Sequence, residues 1–175
     1  MYVGHMGFAL GAHGIRRSIP LWLLVLASQL PDWADAGFCI AGVRPSTPGI
    51  LSHSIPAVAV LALAAAVVYA IVLRDPAGML LVAAVVVSHA AGDYFTGTKP
   101  TWAGGPMIGL QLYKRPVIDF ILEAAVILGG WLVYRRSLPE SRRSSEPVFT
   151  LLGALIVIQI GADIFISFAK GIRKC

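Results

Sequence analysis

Charge is scarce in this chain of 175 residues: Asp, Glu, Lys and Arg together make up 13 %, against roughly a quarter in ordinary soluble domains. That scarcity excludes a water-soluble globular domain. Cysteine is nearly absent too, and Cys39 and Cys175 stand at no metal-type spacing, so neither a disulfide framework nor a redox compartment is read from them. No basic stretch precedes the first apolar run, because Arg16 and Arg17 follow it, and a cleaved signal peptide is not expected. Internal repeats and low-complexity tracts are missing. Basic residues are present, 14 Lys and Arg for a net charge of +5. They lie in short loops between apolar runs rather than on one amphipathic face, so they mark topology and no nucleic acid is expected as a partner.

What the chain has in abundance is apolar sequence, 57 % of its residues. Apolar runs of about 17 to 25 residues are long enough to cross the hydrocarbon core as helices. Four such runs are clear: 54–73, 77–95, 116–134 and 148–169. Two more, 2–15 and 19–33, are short, and the first is glycine-rich. A helix of about 14 residues reaches only about 21 Å, so it must be tilted, partly buried or interfacial. The expectation is an all-α polytopic membrane bundle of five to six membrane helices, a single domain over residues 1–175 with the bilayer as its partner. The connections 34–52 and 97–115, rich in Gly and Pro, are expected to cap one end.

Threading six helices alternately through a bilayer assigns every polar residue to a side. His5 opens the first helix on side A, and Arg16 and Arg17 follow on side B. Asp32 and Asp35 return to side A, His53 starts the next helix there, and His89 and Asp93 come back to it. Asp119 and Glu123 lie in the first turns of the fifth helix, again on side A, and Asp163 of the sixth points the same way. Of the nine acidic residues only Asp75, Glu140 and Glu146 fall on side B, all in loops.

An acid at a helix centre costs about 2.5 to 3.5 kcal/mol to insert, so such groups are paired or functional. His89 and Asp93 are i, i+4 neighbours, as are Asp119 and Glu123, so each pair directs two side chains at one point. Two carboxylates at that spacing repel unless a cation or proton lies between them. Imidazole with carboxylate is a ligand set for zinc, with manganese as the alternative. His5, Asp32, His53, His89, Asp93, Asp119 and Glu123 are therefore the candidate ligands. His13 lies near the opposite end and is left out as a hydrogen-bonding residue. Asp163, with Gln159 one turn earlier, is equally a ligand or half of an interhelical polar pair. Asp35 is a ligand, a partner to one, or a helix cap.

Four stretches carry a family resemblance: Gly4-His5, Leu30-Pro31-Asp32-Trp33-Ala34-Asp35, Ser52-His53-Ser54, and Ser88-His89-Ala90-Ala91-Gly92-Asp93-Tyr94-Phe95-Thr96-Gly97. Together they resemble the YdjM-type inner-membrane proteins, a family described as membrane-bound metal-dependent hydrolases. The likeness runs over roughly residues 4 to 123. The ligand order is also similar to that of zinc-dependent phospholipases C and single-strand nucleases, helical enzymes with three zinc ions. On that likeness His5, Asp32, His53, His89 with Asp93, and Asp119 with Glu123 would be ligands. The chain departs from the pattern where Asp119 replaces a histidine and where no histidine follows Asp93. One or two ions, rather than three, are what the resemblance implies.

A divalent ion held by His and carboxylate with an open position lowers the pKa of bound water toward about 7. The expectation is thus a hydrolase, acting most naturally on a phosphate ester of a lipid, with Asp32 or Asp35 as base where it is not a ligand. Arg44, Lys99, Lys114 and Arg115 lie in the side-A connections, where they hold a substrate phosphate or simply balance the carboxylates. A transporter or channel using the same acids is the first rival, though its polar path should traverse the bilayer. A non-enzymatic interaction protein whose polar cluster fixes helix register is the second. The His-Glu-x-x-His of intramembrane zinc proteases is absent, as are the arginine and Pro-Ser-Gly-His of phosphatidic-acid-phosphatase-type enzymes. Seven basic residues fall on each side: Arg16, Arg17, Arg74, Arg135, Arg136, Arg142 and Arg143 on side B, and Arg44, Lys99, Lys114, Arg115, Lys170, Arg173 and Lys174 on side A. The tighter arginine loops of side B favour side A facing outward. The sequence carries no signal for oligomeric state.

Overall fold

A computed structural model describes residues 3–168, with side chains to residue 165. Lys170, Arg173, Lys174 and Cys175, and the expectations resting on them, lie outside the described residues. The elements run α1 (Gly4–Ile15), α2 (Leu21–Ser28), α3 (Leu30–Ile40), α4 (Ile55–Leu73), α5 (Pro76–Thr96), β1 (Lys99–Pro100), β2 (Met107–Ile108), α6 (Pro116–Ser137), α7 (Glu140–Arg143) and α8 (Glu146–Phe168), with a 3-10 turn at Leu112–Lys114. In hydrocarbon a backbone must satisfy its own polar groups, which the long helices do internally.

Four described helices, α4, α5, α6 and α8, are long and apolar enough to cross a membrane. The expected count of five to six is thus four by length and composition, for two physical reasons. First, α1 has 12 residues, about 18 Å at 1.5 Å per residue. Second, the run 19–33 does not make one helix: it breaks at Gln29, giving α2 and then α3, which continues to Ile40. Pro31 has no amide hydrogen to donate back to Ala27, so the first helix cannot propagate through it.

Helix starts follow local chemistry. Ser54 caps α4, its hydroxyl accepting from the Ala57 amide, with Pro56 in the first turn. Asp75 caps α5 by accepting from the Gly78 amide at 3.1 Å. The same carboxylate takes Arg16 Nε at 3.0 Å and Nη2 at 2.7 Å, and the Tyr69 hydroxyl at 2.9 Å. The Gly78 amide first, with the Tyr69 and Arg16 hydrogen bonds, holds the Asp75 carboxyl below the usual range. What the sequence offers as simple punctuation, Arg74-Asp75-Pro76, is a clasp between α1, α4 and α5 on side B.

Helix α1 divides the interior. Its Ala9 and Ala12 belong to a core with Leu24, Ala62, Tyr69, Val82 and Val86. Its Leu10 belongs to a second core with Ile127, Trp131, Val148 and Leu155. Lipid tails are as apolar as leucine, so close packing rather than exclusion of water must hold α1 in place. Glycine supplies it. A Cβ on Gly130 of α6 would lie 1.8 Å from the Gly7 carbonyl oxygen, and one on Gly7 would lie 2.4 Å from that of Val126. The two backbones therefore touch, and the short glycine-rich helix is a central element.

Candidate metal centre

The side-A residues converge by different routes. Asp32 sits in the first turn of α3, re-aimed by the break at Gln29. His53 immediately precedes the Ser54 cap of α4, while His89 and Asp93 lie on one face in the last turns of α5. These four residues each offer a ligand atom within 4.8 Å of all the others. His53 Nε2 is 3.1 Å from Asp32 Oδ1 and 3.4 Å from Asp93 Oδ2. His89 Nε2 is 3.4 Å from the same Asp93 oxygen, 3.7 Å from Asp32 Oδ1 and 3.4 Å from His53 Nε2.

The partners of the other ring nitrogens decide what these atoms can do. His89 Nδ1 lies 2.7 Å from the Ser28 carbonyl oxygen, which can only accept, so Nδ1 carries the proton and donates. For His53, the single hydroxyl hydrogen of Ser52 goes to Asp35 Oδ1 at 2.9 Å, and His53 Nδ1, 2.8 Å from that hydroxyl, donates to it. In the neutral rings both Nε2 atoms are then bare lone pairs. Imidazole nitrogens facing two carboxylate oxygens need a positive charge between them, which a metal ion or a proton on Nε2 supplies. The residues thus fit a metal ion, with both histidines oriented through their far nitrogens as metal ligands are.

One cation of the chain already reaches the group. Lys99 Nζ lies 2.7 Å from Asp93 Oδ2. Its hairpin, β1 with β2, is tied to the bundle by the Ile55 amide donating to the Thr101 carbonyl and the Leu110 amide donating to that of Tyr94. Gly109, at φ 143, sits where a Cβ would meet the Gly97 carbonyl oxygen at 2.1 Å. Beside the group opens a cavity of about 610 Å³ lined by Asp32, Asp35, His53, Asp93 and Lys99 on its polar side and by Phe38, Val43, Leu51, Met107 and Tyr113 elsewhere. Trp33 and Trp102 are exposed at this end, where aromatic rings mark a bilayer interface.

The seven expected ligands are not gathered at one point. His5 is fully buried, stacks on the His89 ring at 3.8 Å, and meets Asp93 through the other oxygen, Oδ1, at 3.3 Å. Asp119 and Glu123 form a separate group with Asp163 of α8. Gly4 and His5, consecutive in α1, link the two groups, since the Gly4 amide donates to Glu123 Oε2 at 3.0 Å. Asp35 stands on the cavity wall and reaches His53 through Ser52. Of the four expected phosphate-holding cations, Lys99 lines the cavity; Arg44, Lys114 and Arg115 are exposed outside it, and Lys114 donates to Gln111. His13 hydrogen-bonds the Ile19 carbonyl at 2.8 Å, a structural role. Sequence reasoning missed Ser28 and Ser52 as the groups that orient the histidines. The Ser-His-Ser string hints at Ser52, but Ser28 is 61 residues from His89 and no local signal reports it.

Four helices long and apolar enough to cross a membrane, with a largely buried group of His and Asp at one end that could bind a metal ion, define an integral membrane protein with a polar centre. Residues 2–165 match the YdjM inner membrane protein family, and the chain belongs to that family as an integral inner-membrane protein. No curated protein and no solved structure matches the chain.

Proposed function

We propose that the protein is a membrane-embedded metal-dependent hydrolase that cleaves a phosphate ester of a lipid. The observation that carries this reading is the meeting of two imidazole Nε2 atoms, each ring held through its Nδ1, with two carboxylates on the wall of a half-apolar cavity. His53, His89, Asp32 and Asp93 would hold the ion, with zinc the metal that suits the donors best and manganese next. When bound, such an ion supplies a Lewis acid and a water acidic enough to attack at neutral pH. The chain's own residues do the rest. Ser28 and the Ser52–Asp35 pair fix the two rings. Asp35, a carboxylate of the wall outside the four-residue group, takes a proton from the attacking water. Lys99 holds a phosphate oxygen. Phe38, Val43, Leu51 and Met107 offer an apolar surface to the part of the substrate next to the headgroup, whose tails remain in the bilayer.

The test is elemental analysis of the purified protein, followed by assays on phosphodiester and phosphomonoester lipids with and without chelator. His89→Ala and Asp93→Ala should lose bound metal and hydrolysis together. Full hydrolysis in either variant would refute the assignment, and a wild-type protein that binds no zinc or manganese would favour a transport or purely structural role.

A further inference from the structure

The second group, which contains no histidine, has its own chemistry. Asp119 and Glu123 of α6 and Asp163 of α8 each offer a carboxylate oxygen within 4.8 Å of the others. Asp119 is 3 % exposed and Glu123 is 0 % exposed. Clustered acids alone would mean little, but two neighbouring groups point to a ligand. Asp119 Oδ1 is buried without a hydrogen-bond partner among the described residues, and so is the amide oxygen of Gln159. Gln159 is fully buried one turn before Asp163, and its amide nitrogen donates to Asp163 Oδ1 at 2.8 Å. That bond holds the side chain at the Asp163 carboxylate and leaves its buried oxygen an open acceptor. A buried acceptor with nothing to accept is a costly arrangement, and two of them, one within the acid group and one on the residue bonded to Asp163, would both be satisfied by a cation.

We infer that Asp119, Glu123, Asp163 and Gln159 form a second metal site, distinct from the histidine centre and selective for a hard divalent cation such as manganese or magnesium. The donor set decides the class. The first group offers two imidazoles and two carboxylates, which suit zinc. The second offers oxygen only, three carboxylates and one amide, which suits ions that prefer oxygen. Its ligands come from both α6 and α8, so an ion there would fasten the last spanning helix to the rest of the bundle. The Gly4 amide on Glu123 and the His5 ring at Asp93 would connect the two ions through α1. This inference does not rest on the hydrolase reading, since the site is defined by side chains outside the four-residue group.

The experiment uses the full chain in detergent or nanodiscs, first loaded with zinc, then titrated with manganese and followed by electron paramagnetic resonance, with magnesium as competitor. Wild type should bind zinc and manganese together, and magnesium should displace the manganese while leaving the zinc. Asp163→Asn and Asp119→Asn should each weaken manganese binding by at least tenfold with zinc content unchanged, which also reports that the variants are folded. Gln159→Glu, which keeps an oxygen ligand and adds charge, should bind manganese at least as tightly as wild type. His89→Ala should lose zinc and keep manganese, so failure of the histidine centre and failure of this site are separately visible. Wild type that takes up no manganese beside zinc, or manganese binding unaltered in both Asn variants, would overturn the proposal.

Discussion

The two histidines of the centre could serve as ligands because their far nitrogens are occupied. Ser52 does this for His53 by standing between its ring and Asp35, with contacts of 2.8 and 2.9 Å. Removing an outer partner of this kind typically weakens metal binding by about 10- to 100-fold. Ser52→Ala should therefore lower zinc affinity by about that factor, measured by competition with a chelating dye. Ser52→Thr, which keeps the hydroxyl, should restore most of it. Unchanged affinity in the alanine variant would mean that the hydroxyl does not set the tautomer. Much of this scale was legible in the sequence: Asp32, His53, His89 and Asp93 were all candidates on residue type and side. The seryl partners were not, because a hydroxyl or a carbonyl gains meaning only from the ring placed opposite it.

At the scale of elements, α1 is held against α6 by close backbone contact as well as by its side chains in the two cores. Its Gly7 faces Val126 and Gly130 of α6 with no room for a methyl group on either glycine. Gly130→Ala would force the helices apart, and overpacking of this sort costs about 1–3 kcal/mol. The variant should melt at a lower temperature in detergent and should bind zinc more weakly, because α1 carries His5 against His89 and Asp93. Gly129→Ala, one residue away with nothing within 4 Å of the added atom, is the control and should melt like wild type. A Gly130→Ala protein with wild-type melting and zinc content would show that the approach of α1 to α6 is not a constraint. The apolar runs in the sequence report the four long helices well, because hydropathy over about 20 residues is a local property. They misjudge 19–33, since composition is blind to the break that Pro31 imposes, and they undervalue 2–15, since glycine that weakens a helix in isolation is what lets it pack.

For the whole molecule, the histidine centre ties together three segments distant in sequence: α3 through Asp32, the start of α4 through His53 and the end of α5 through His89 and Asp93. An ion bound only by the folded state stabilises it by mass action, about 2.7 kcal/mol when its concentration is 100 times the dissociation constant. Stripping metal with a chelator should lower the melting temperature by several degrees, and adding zinc back should restore it. Equal melting of stripped and loaded protein would separate the centre from stability. At the opposite end the Arg16–Asp75 pair, 2.7 Å apart with Tyr69 and Gly78 on the same carboxylate, closes the bundle without joining the side-A groups.

By itself the sequence determined the class and the polarity of the molecule: a helical membrane protein with three of its four histidines and most of its acids on one side. It could do so because hydropathy and alternate threading depend on composition along the chain. Only the tertiary structure decided how those residues are shared out, with Asp32, His53, His89 and Asp93 in one group and Asp119, Glu123 and Asp163 in another. The physical reason is that threading assigns a depth in the bilayer and nothing about position around the bundle, and ligand grouping is set by which helices pack side by side. Here a short helix wedged between two cores by its glycines set that arrangement.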